Sequence, residues 1–225
     1  MMGYGKASAA FAREHPVIAI NVALDPDAAM IARANAANAR LIETRADGFA
    51  LDETHAPHLS LLHRYVRTAA LDDVHAAVAR IVADLCSGDW TLTARAYSGS
   101  PWRDVFLANI VVESTDALHK LQQALIDAII PFTVEAGSAA AFVTTSDERE
   151  IDQPTIDYVT AFVPDATGSR FTPHVTVGIA SEAALQGLLA EPFDRFTFSP
   201  SRISVYQLGS FGTARKKLAS WKLPR

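Results

Sequence analysis

Apolar residues recur along this chain with two different periods, and they predict an alternation of strands and helices. The apolar, β-branched run at 17–25 ends at Asp and Pro, as a strand would. The Ala-rich segment 27–43 has a helical composition, and residues 71–85 carry apolar positions at three- and four-residue spacing. Residues 58–66 and 89–99 have strand character. The first half is therefore predicted as strand, helix, strand, helix, strand.

The second half of the chain repeats this order. Its predicted elements are a strand at 105–113, a helix at 114–130, a strand at 174–180, a helix at 181–191 and strands at 194–199 and 202–209. A duplication explains the repetition, with pseudo-repeats at about 17–99 and 105–209 inside one two-lobed domain spanning 1–225.

The two predicted repeats are not separated by a constant offset. The offset is about 87 residues for the opening strands and 116 residues for the strands that begin at 58 and 174. The second repeat must therefore hold an insertion of roughly 29 residues, which we place within 138–170. This segment is predicted as two strands around a polar turn.

Composition and charge restrict the classes of function. A chain of 225 residues, 49% of them hydrophobic, is predicted to form one soluble unit and to act as a monomer. A net charge of −5 argues against a protein that coats long nucleic acid, although a small anionic ligand could still bind a local pocket. Cys86 is the only cysteine, so neither an intrachain disulfide nor a cysteine metal cluster is expected. The N-terminus lacks the apolar run of a signal peptide, and we expect a cytoplasmic protein without a membrane segment.

One short motif occurs twice, as PHLSL at 57–61 and PHVTV at 173–177. With seven histidines in the chain, chance would produce only about 0.2 matches to His, apolar, hydroxyl, apolar. Because successive side chains of a strand point to opposite faces, His58 shares a face with Ser60, and His174 shares one with Thr176. Each motif therefore presents an imidazole and a hydroxyl on one face of a strand.

Two imidazoles and two hydroxyls in one cleft suit phosphoryl chemistry. A neutral histidine can take a proton from the nucleophile, a protonated one can give a proton to the leaving oxygen, and hydroxyls can bind the remaining phosphoryl oxygens. The motifs offer no carboxylate at a ligand-like spacing, so we expect no metal and no cofactor. A serine hydrolase is disfavoured, because His58 and Ser60 lie on one strand and the chain has no GxSxG sequence.

The paired motifs resemble those of the two-histidine phosphoesterase superfamily, which includes bacterial 2'-5' RNA ligase-like proteins and cyclic nucleotide phosphodiesterases. The resemblance extends from the strand at 17 to the tail YQLGSFGTARKKLASWKL. It implies a bilobal α+β fold, with two antiparallel sheets lining a central cleft and helices outside. It also implies that His58 and His174 are catalytic and that Ser60 and Thr176 bind phosphate. The chain departs from the family pattern in having Ser in the first motif, where Thr is common, and in its long insertion.

Further side chains are candidates if the motif strands stay regular. Arg64 and Arg170 share strand parity with the motif histidines and are candidate phosphate ligands. Three aromatic residues could stack on a base, namely Phe171, Tyr65 and Trp102. The other five histidines are predicted to be spectators: His63 has the opposite parity, and His15, His55, His75 and His119 fall in predicted loops or helices.

The resemblance predicts a metal-independent phosphodiesterase that opens a 2',3'-cyclic phosphate on a nucleotide or short RNA end. His58 would be the general acid and His174 the general base, and the reverse reaction would join RNA ends through a 2'-5' bond. The alternative is a nucleotide- or phosphate-binding module that keeps the cleft without turnover.

Overall fold

The computed structural model describes residues 16–45, 48–85, 90–145 and 150–224; Cys86 and His15 lie outside these ranges. Within them, the strands are β1 (Val17–Asp25), β2 (Leu59–Arg67), β3 (Leu92–Trp102), β4 (Val105–Val112), β5 (Thr133–Val134), β6 (His174–Ala180), β7 (Phe196–Phe198), β8 (Arg202–Leu208) and β9 (Ala214–Lys222). The helices are α1 (Ala28–Thr44), α2 (Leu71–Asp84), α3 (Asp116–Ile129), α4 (Gln153–Ala166) and α5 (Glu182–Ala190). The four helices predicted outside the insertion are confirmed, as is the α+β class. None of the helices in these ranges is long and apolar enough to cross a membrane.

The strands form one antiparallel sheet in the order β7-β3-β4-β6-β2-β1-β8-β9, and β5 pairs with β2. The order is symmetric about its centre, because β6 and β2 are flanked by β4 and β1, then by β3 and β8. The second strand of each predicted repeat, β2 or β6, lies beside the opening strand of its own repeat, and these two strands meet at the centre. The duplication itself remains a prediction.

The expected division into two sheets is not what the hydrogen bonding shows. The two halves of the sheet join through one pair, Leu59 with Val175. Continuing that register would place Pro173 against Leu61 and Pro57 against Val177. Proline has no amide proton to donate to the ladder, so pairing cannot extend far on either side. The halves are therefore one sheet with a minimal central junction.

The segment predicted as an insertion, residues 138–170, does not form the two strands expected there. It contains a short 3₁₀ turn at Ala139–Ala141 and helix α4, whereas residues 146–149 of the predicted polar turn lie outside the described ranges. The Asp152 carboxylate accepts a hydrogen bond from the Thr155 amide at 2.9 Å, and a proline occupies the first turn of α4. These are N-terminal helix signals, and they outweigh the local β-propensity of the segment.

Helices and sheet share one main apolar core. Helices α1 and α5 pack on β6, α3 packs on β2, and α2 packs on α3 and β9. The core is built largely from the apolar side chains of these helices and of the strands beneath them. Helix α4 also contacts β2, but it lies beside the cleft described next, which leaves one wall of that cleft to the insertion.

Candidate active site

The two motifs meet at the centre of the sheet. Because Leu59 pairs with Val175 in antiparallel fashion, His58 lies across from Thr176 and Ser60 lies across from His174. In such a register His58 and His174 are diagonal neighbours, and the Cα atoms of diagonal neighbours are typically about 7–8 Å apart. All four side chains line one cleft of about 270 Å³. Its walls also include His63, Ser100, Pro101, Trp102, Leu107, Asn109, Tyr158, Ala166, Thr172, Phe211 and Gly212.

Both motif imidazoles are held in the same tautomer. His58 Nδ1 lies 2.7 Å from the Ala56 carbonyl oxygen, and His174 Nδ1 lies 2.7 Å from the Thr172 carbonyl oxygen. A carbonyl oxygen can only accept a hydrogen bond, so each Nδ1 carries the proton. The Nε2 atom of each ring is then left to accept a proton when neutral and to donate one when charged.

The two motif histidines differ in their electrostatic surroundings. Burial lowers the pKa of His58, although the bond to Ala56 and the charge of Asp25 raise it, and the neighbouring His174 lowers it. Burial also lowers the pKa of His174, opposed by its bond to Thr172. Only His58 therefore has a carboxylate that favours its protonated form, as far as the described residues show.

Asp25 is held in place by a hydrogen-bonded cluster behind His58. Its carboxylate accepts bonds from the Tyr206 hydroxyl at 2.7 Å, the Ser204 hydroxyl at 2.8 Å and Lys217 Nζ at 2.9 Å. The rings of Tyr206 and His58 are 6.2 Å apart. The negative charge thus has a fixed position near one motif.

Each motif hydroxyl is hydrogen-bonded to a buried asparagine. Asn21 Nδ2 donates to Ser60 Oγ at 2.9 Å, whereas Thr176 Oγ1 donates to Asn109 Oδ1 at 2.9 Å. We did not predict either asparagine from the sequence. A signal was nevertheless present, because each is an amide inside an otherwise apolar opening strand, and 109 minus 21 equals 88, close to the repeat offset.

A β-bulge follows the hydroxyl in both motif strands. The pairing of β2 with β1 skips Leu61, and the pairing of β6 with β4 skips Val177. A bulge leaves backbone groups outside the ladder. Here buried amides from helices bind the carbonyl groups: Gln122 Nε2 donates to Leu61 O at 3.0 Å, and Asn38 Nδ2 donates to Val177 O at 2.9 Å.

The bulge at Leu61 changes which β2 side chains face the cleft. One extra residue reverses the alternation of faces, so His63 joins Ser60 on the cleft side and Arg64 moves to the other side. Arg64 is consequently absent from the cleft lining, contrary to prediction. Tyr65 is also absent from it, because its ring is buried beside α4, where its hydroxyl donates to Ile156 O at 3.0 Å.

Two candidates near the second motif also lie away from the cleft. Arg170 is exposed, donates to the Pro164 carbonyl and lies 3.9 Å from the Asp165 carboxylate. Strand parity does not apply to it, because Gly168–Arg170 form a 3₁₀ turn. Phe171 is buried, with its ring centroid 5.6 Å from that of His119.

Trp102 is the one predicted aromatic residue that lines the cleft. Its ring centroid lies 5.6 Å from that of Tyr158 and 5.8 Å from that of Phe211. These three rings form an apolar wall suited to a flat ligand group. Within the described ranges no cluster of three or more His, Cys, Asp or Glu side chains is arranged to hold a metal ion.

This chain is similar to several solved structures. The crystal structure of TT0787 from Thermus thermophilus is 15% identical, with 92% of this chain and 98% of that chain covered and a TM-score of 0.54. LigT from E. coli complexed with ATP is 14% identical, with 93% and 99% covered and a TM-score of 0.42. The MHV ns2 PDE domain is 15% identical, with 92% and 100% covered and a TM-score of 0.44. At 15% identity, the similarity to TT0787 shows a shared fold and nothing more.

Sequence comparison identifies the family. A search of curated protein sequences finds no match to this chain. A family model for the 2'-5' RNA ligase superfamily, however, matches residues 25–210, which is most of the chain and includes both histidine motifs. The chain therefore belongs to the 2'-5' RNA ligase superfamily of two-histidine phosphoesterases.

Proposed function

We propose that this protein is a metal-independent phosphodiesterase that hydrolyses 2',3'-cyclic phosphates of nucleotides or short RNA ends. Membership of the superfamily supports a phosphoesterase activity in general. The observation that carries the specific proposal is the pair of imidazoles beside one cleft, each with Nδ1 bonded to a carbonyl oxygen and Nε2 left for chemistry. A protein that only binds nucleotides would need no such matched pair of titratable groups.

The proposed reaction uses the two imidazoles in opposite roles. His174 Nε2, neutral, removes a proton from a water molecule as the water oxygen attacks the phosphorus atom. The bond between phosphorus and one ribose oxygen breaks, and His58 Nε2–H gives its proton to that oxygen. The product is a phosphomonoester with a free ribose hydroxyl. The Asp25 charge favours protonated His58, which supports this assignment of acid and base.

Hydroxyl groups are placed to bind the phosphoryl oxygens that take no part in proton transfer. Ser60 and Thr176 lie across the junction from His174 and His58, so a phosphoryl group between the imidazoles lies beside both hydroxyls. Their hydrogen bonds would strengthen as charge develops on those oxygens. If the 5'-hydroxyl of a second RNA end attacked in place of water and the ribose 3'-oxygen left, the same two proton transfers would join RNA ends through a 2'-5' bond.

The cleft is proportioned for a small substrate. Its volume of about 270 Å³ matches a mononucleotide or chain end better than a long RNA. The net charge of −5 also disfavours extensive contact with phosphates. Trp102, beside the phosphate site, offers a face on which the base would stack.

Replacement of the histidines tests this proposal. His58→Ala and His174→Ala should each lower kcat for a nucleoside 2',3'-cyclic phosphate by about 10²–10⁴-fold, and the double variant should cost little more. His119→Ala is the control, because His119 contacts Ser114 and Phe171 outside the cleft and should leave turnover unchanged. Near-normal activity of either single variant would refute the assignment.

A panel of substrates separates the enzyme from the binding module. The panel should hold the four nucleoside 2',3'-cyclic phosphates and an ADP-ribose cyclic phosphate. Hydrolysis of any nucleoside 2',3'-cyclic phosphate supports the proposal, whereas binding of all of them without turnover would identify a nucleotide sensor.

A further inference from the structure

His63 is a third histidine in the cleft, outside both motifs. Its side chain is buried, with only 2% of the residue exposed, and Nε2 lies 3.0 Å from Ser60 Oγ. The β2 bulge at Leu61 is what brings it to this face. At the equivalent place in the second repeat, 116 residues later, the chain has Ile179, so no corresponding group contacts Thr176 from that position.

The hydrogen bonds of Ser60 restrict what His63 does. A hydroxyl has one proton and two lone pairs. The Asn21 amide nitrogen donates to Ser60 Oγ and so occupies one lone pair. His63 Nε2 then either donates to the second lone pair or accepts the hydroxyl proton. In the first case the Ser60 proton is free to point into the cleft, which Ser60 lines; in the second that proton is withheld from any ligand.

The surroundings of His63 decide between these two tautomers. Its Nδ1 atom is buried and has no hydrogen-bond partner in the described part of the chain. A proton on Nδ1 would therefore be a buried N–H group without an acceptor, which is rarer and more costly than an unpaired lone pair. Burial also holds the pKa of His63 well below its ordinary value, so the ring stays neutral. The proton thus belongs on Nε2.

The insertion helix fixes the orientation of this ring. Phe162 of α4 stacks on His63 with centroids 4.5 Å apart and an angle of 12° between the rings. Tyr158 of the same helix meets it edge-on at 5.2 Å. On a third side, a Cβ atom at Gly212 would lie only 3.3 Å from His63 Cε1. The ring has little room to turn, so Nε2 stays directed at Ser60.

We propose that His63 is a positioning residue: its Nε2–H bond to Ser60 turns the Ser60 hydroxyl proton toward a phosphoryl oxygen of the substrate, and helix α4 holds His63 in place for this role. The two motif hydroxyls are then unequal. Ser60 is ready to donate to the ligand, whereas Thr176 must first release its bond to Asn109 Oδ1 before it can do so. The kinetic consequence rests on the function proposed above, but the tautomer does not.

Nuclear magnetic resonance of the ¹⁵N-histidine-labelled protein tests the tautomer without any turnover. His63 should be protonated on Nε2, whereas His58 and His174 in their neutral forms should be protonated on Nδ1. The His63→Phe variant keeps an aromatic ring against Phe162 and assigns the His63 signals, because these are the signals that it removes. If His63→Phe does not fold, Ser60→Ala assigns them instead, because it should shift the His63 signals most. Protonation of neutral His63 on Nδ1 would overturn the proposal.

Kinetics with 2',3'-cyclic AMP test the role. His63→Phe should lower kcat/KM by about tenfold, the usual worth of one hydrogen bond, and His63→Gln should restore much of the loss because its amide can donate. In a Ser60→Ala background His63→Phe should have no further effect, because there is no hydroxyl left to orient. Equal losses with and without Ser60, or no loss at all, would show that the ring only packs. Absence of turnover in the wild-type protein would instead refute the proposed function and leave the tautomer measurement intact.

Discussion

Asn38 stabilises the bulge beside the second motif, and its replacement by leucine should destabilise the protein strongly. The side chain is 4% exposed and makes three hydrogen bonds, each of 2.9 Å. Its Nδ2 donates to the Phe49 and Val177 carbonyl groups, and its Oδ1 accepts from the Leu51 amide. Asn38→Leu has nearly the same shape but leaves all three backbone groups without their partner.

The expected magnitude follows from where those groups lie. The bond to Val177 O is fully buried, so losing it should cost about 1–3 kcal/mol. The bonds to Phe49 and Leu51 are only partly buried, and water can replace them at about 1 kcal/mol each. The total of about 3–5 kcal/mol is a large share of an ordinary domain's stability, which is roughly 5–15 kcal/mol. It corresponds to a fall in Tm of about 10 °C for a chain of this size.

Urea denaturation followed by circular dichroism, together with calorimetry, measures this change. Asn35→Leu is the matched control, because Asn35 lies on the same helix α1 with its side chain exposed, and it should change the free energy of unfolding by less than about 0.5 kcal/mol. Asn38→Leu should also lower kcat/KM, since Val177 directly follows Thr176. An Asn38→Leu protein as stable as the Asn35→Leu protein would refute the claim that this amide supports the bulge.

Three further predictions concern charge, backbone and metal. Asp25→Asn removes the charge that raises the pKa of His58, so protonated His58 should be lost at lower pH. The alkaline limb of the rate–pH profile should therefore shift to lower pH, while the acidic limb governed by His174 stays in place. A profile with both limbs unchanged would show that Asp25 does not tune His58. Gly178→Ala should lower the free energy of unfolding by about 1–3 kcal/mol, because Gly178 has φ of +146° and a Cβ atom there would lie 3.0 Å from Asn38 Nδ2. Urea denaturation measures this loss, and a variant as stable as the wild-type protein would contradict the predicted strain. Hydrolysis should persist in excess EDTA, and a loss that added zinc or manganese reverses would overturn the metal-independent mechanism.

Local sequence determined most helices and strands outside residues 138–170 and which side chains of each motif share a face. Apolar periodicity and cap residues predict helices such as α1 and α3 to within about two residues, because these signals act between near neighbours. Strand alternation likewise places His58 with Ser60 and His174 with Thr176, since the alternation holds over three residues whatever the rest of the chain does. The repetition of that motif was enough to suggest that both copies serve one cleft.

Tertiary structure decided which other residues join them. Each bulge adds one residue to a strand and reverses its faces, and the bulge in β2 so exchanges Arg64 for His63 at the cleft. The amides that hold the bulged carbonyls come from 61 and 139 residues away, at Gln122 and Asn38. The local spacing of apolar residues cannot predict such contacts, because they form only when the helices pack against the sheet. For the same reason the insertion helix, not the strand pattern, determines how His63 faces Ser60.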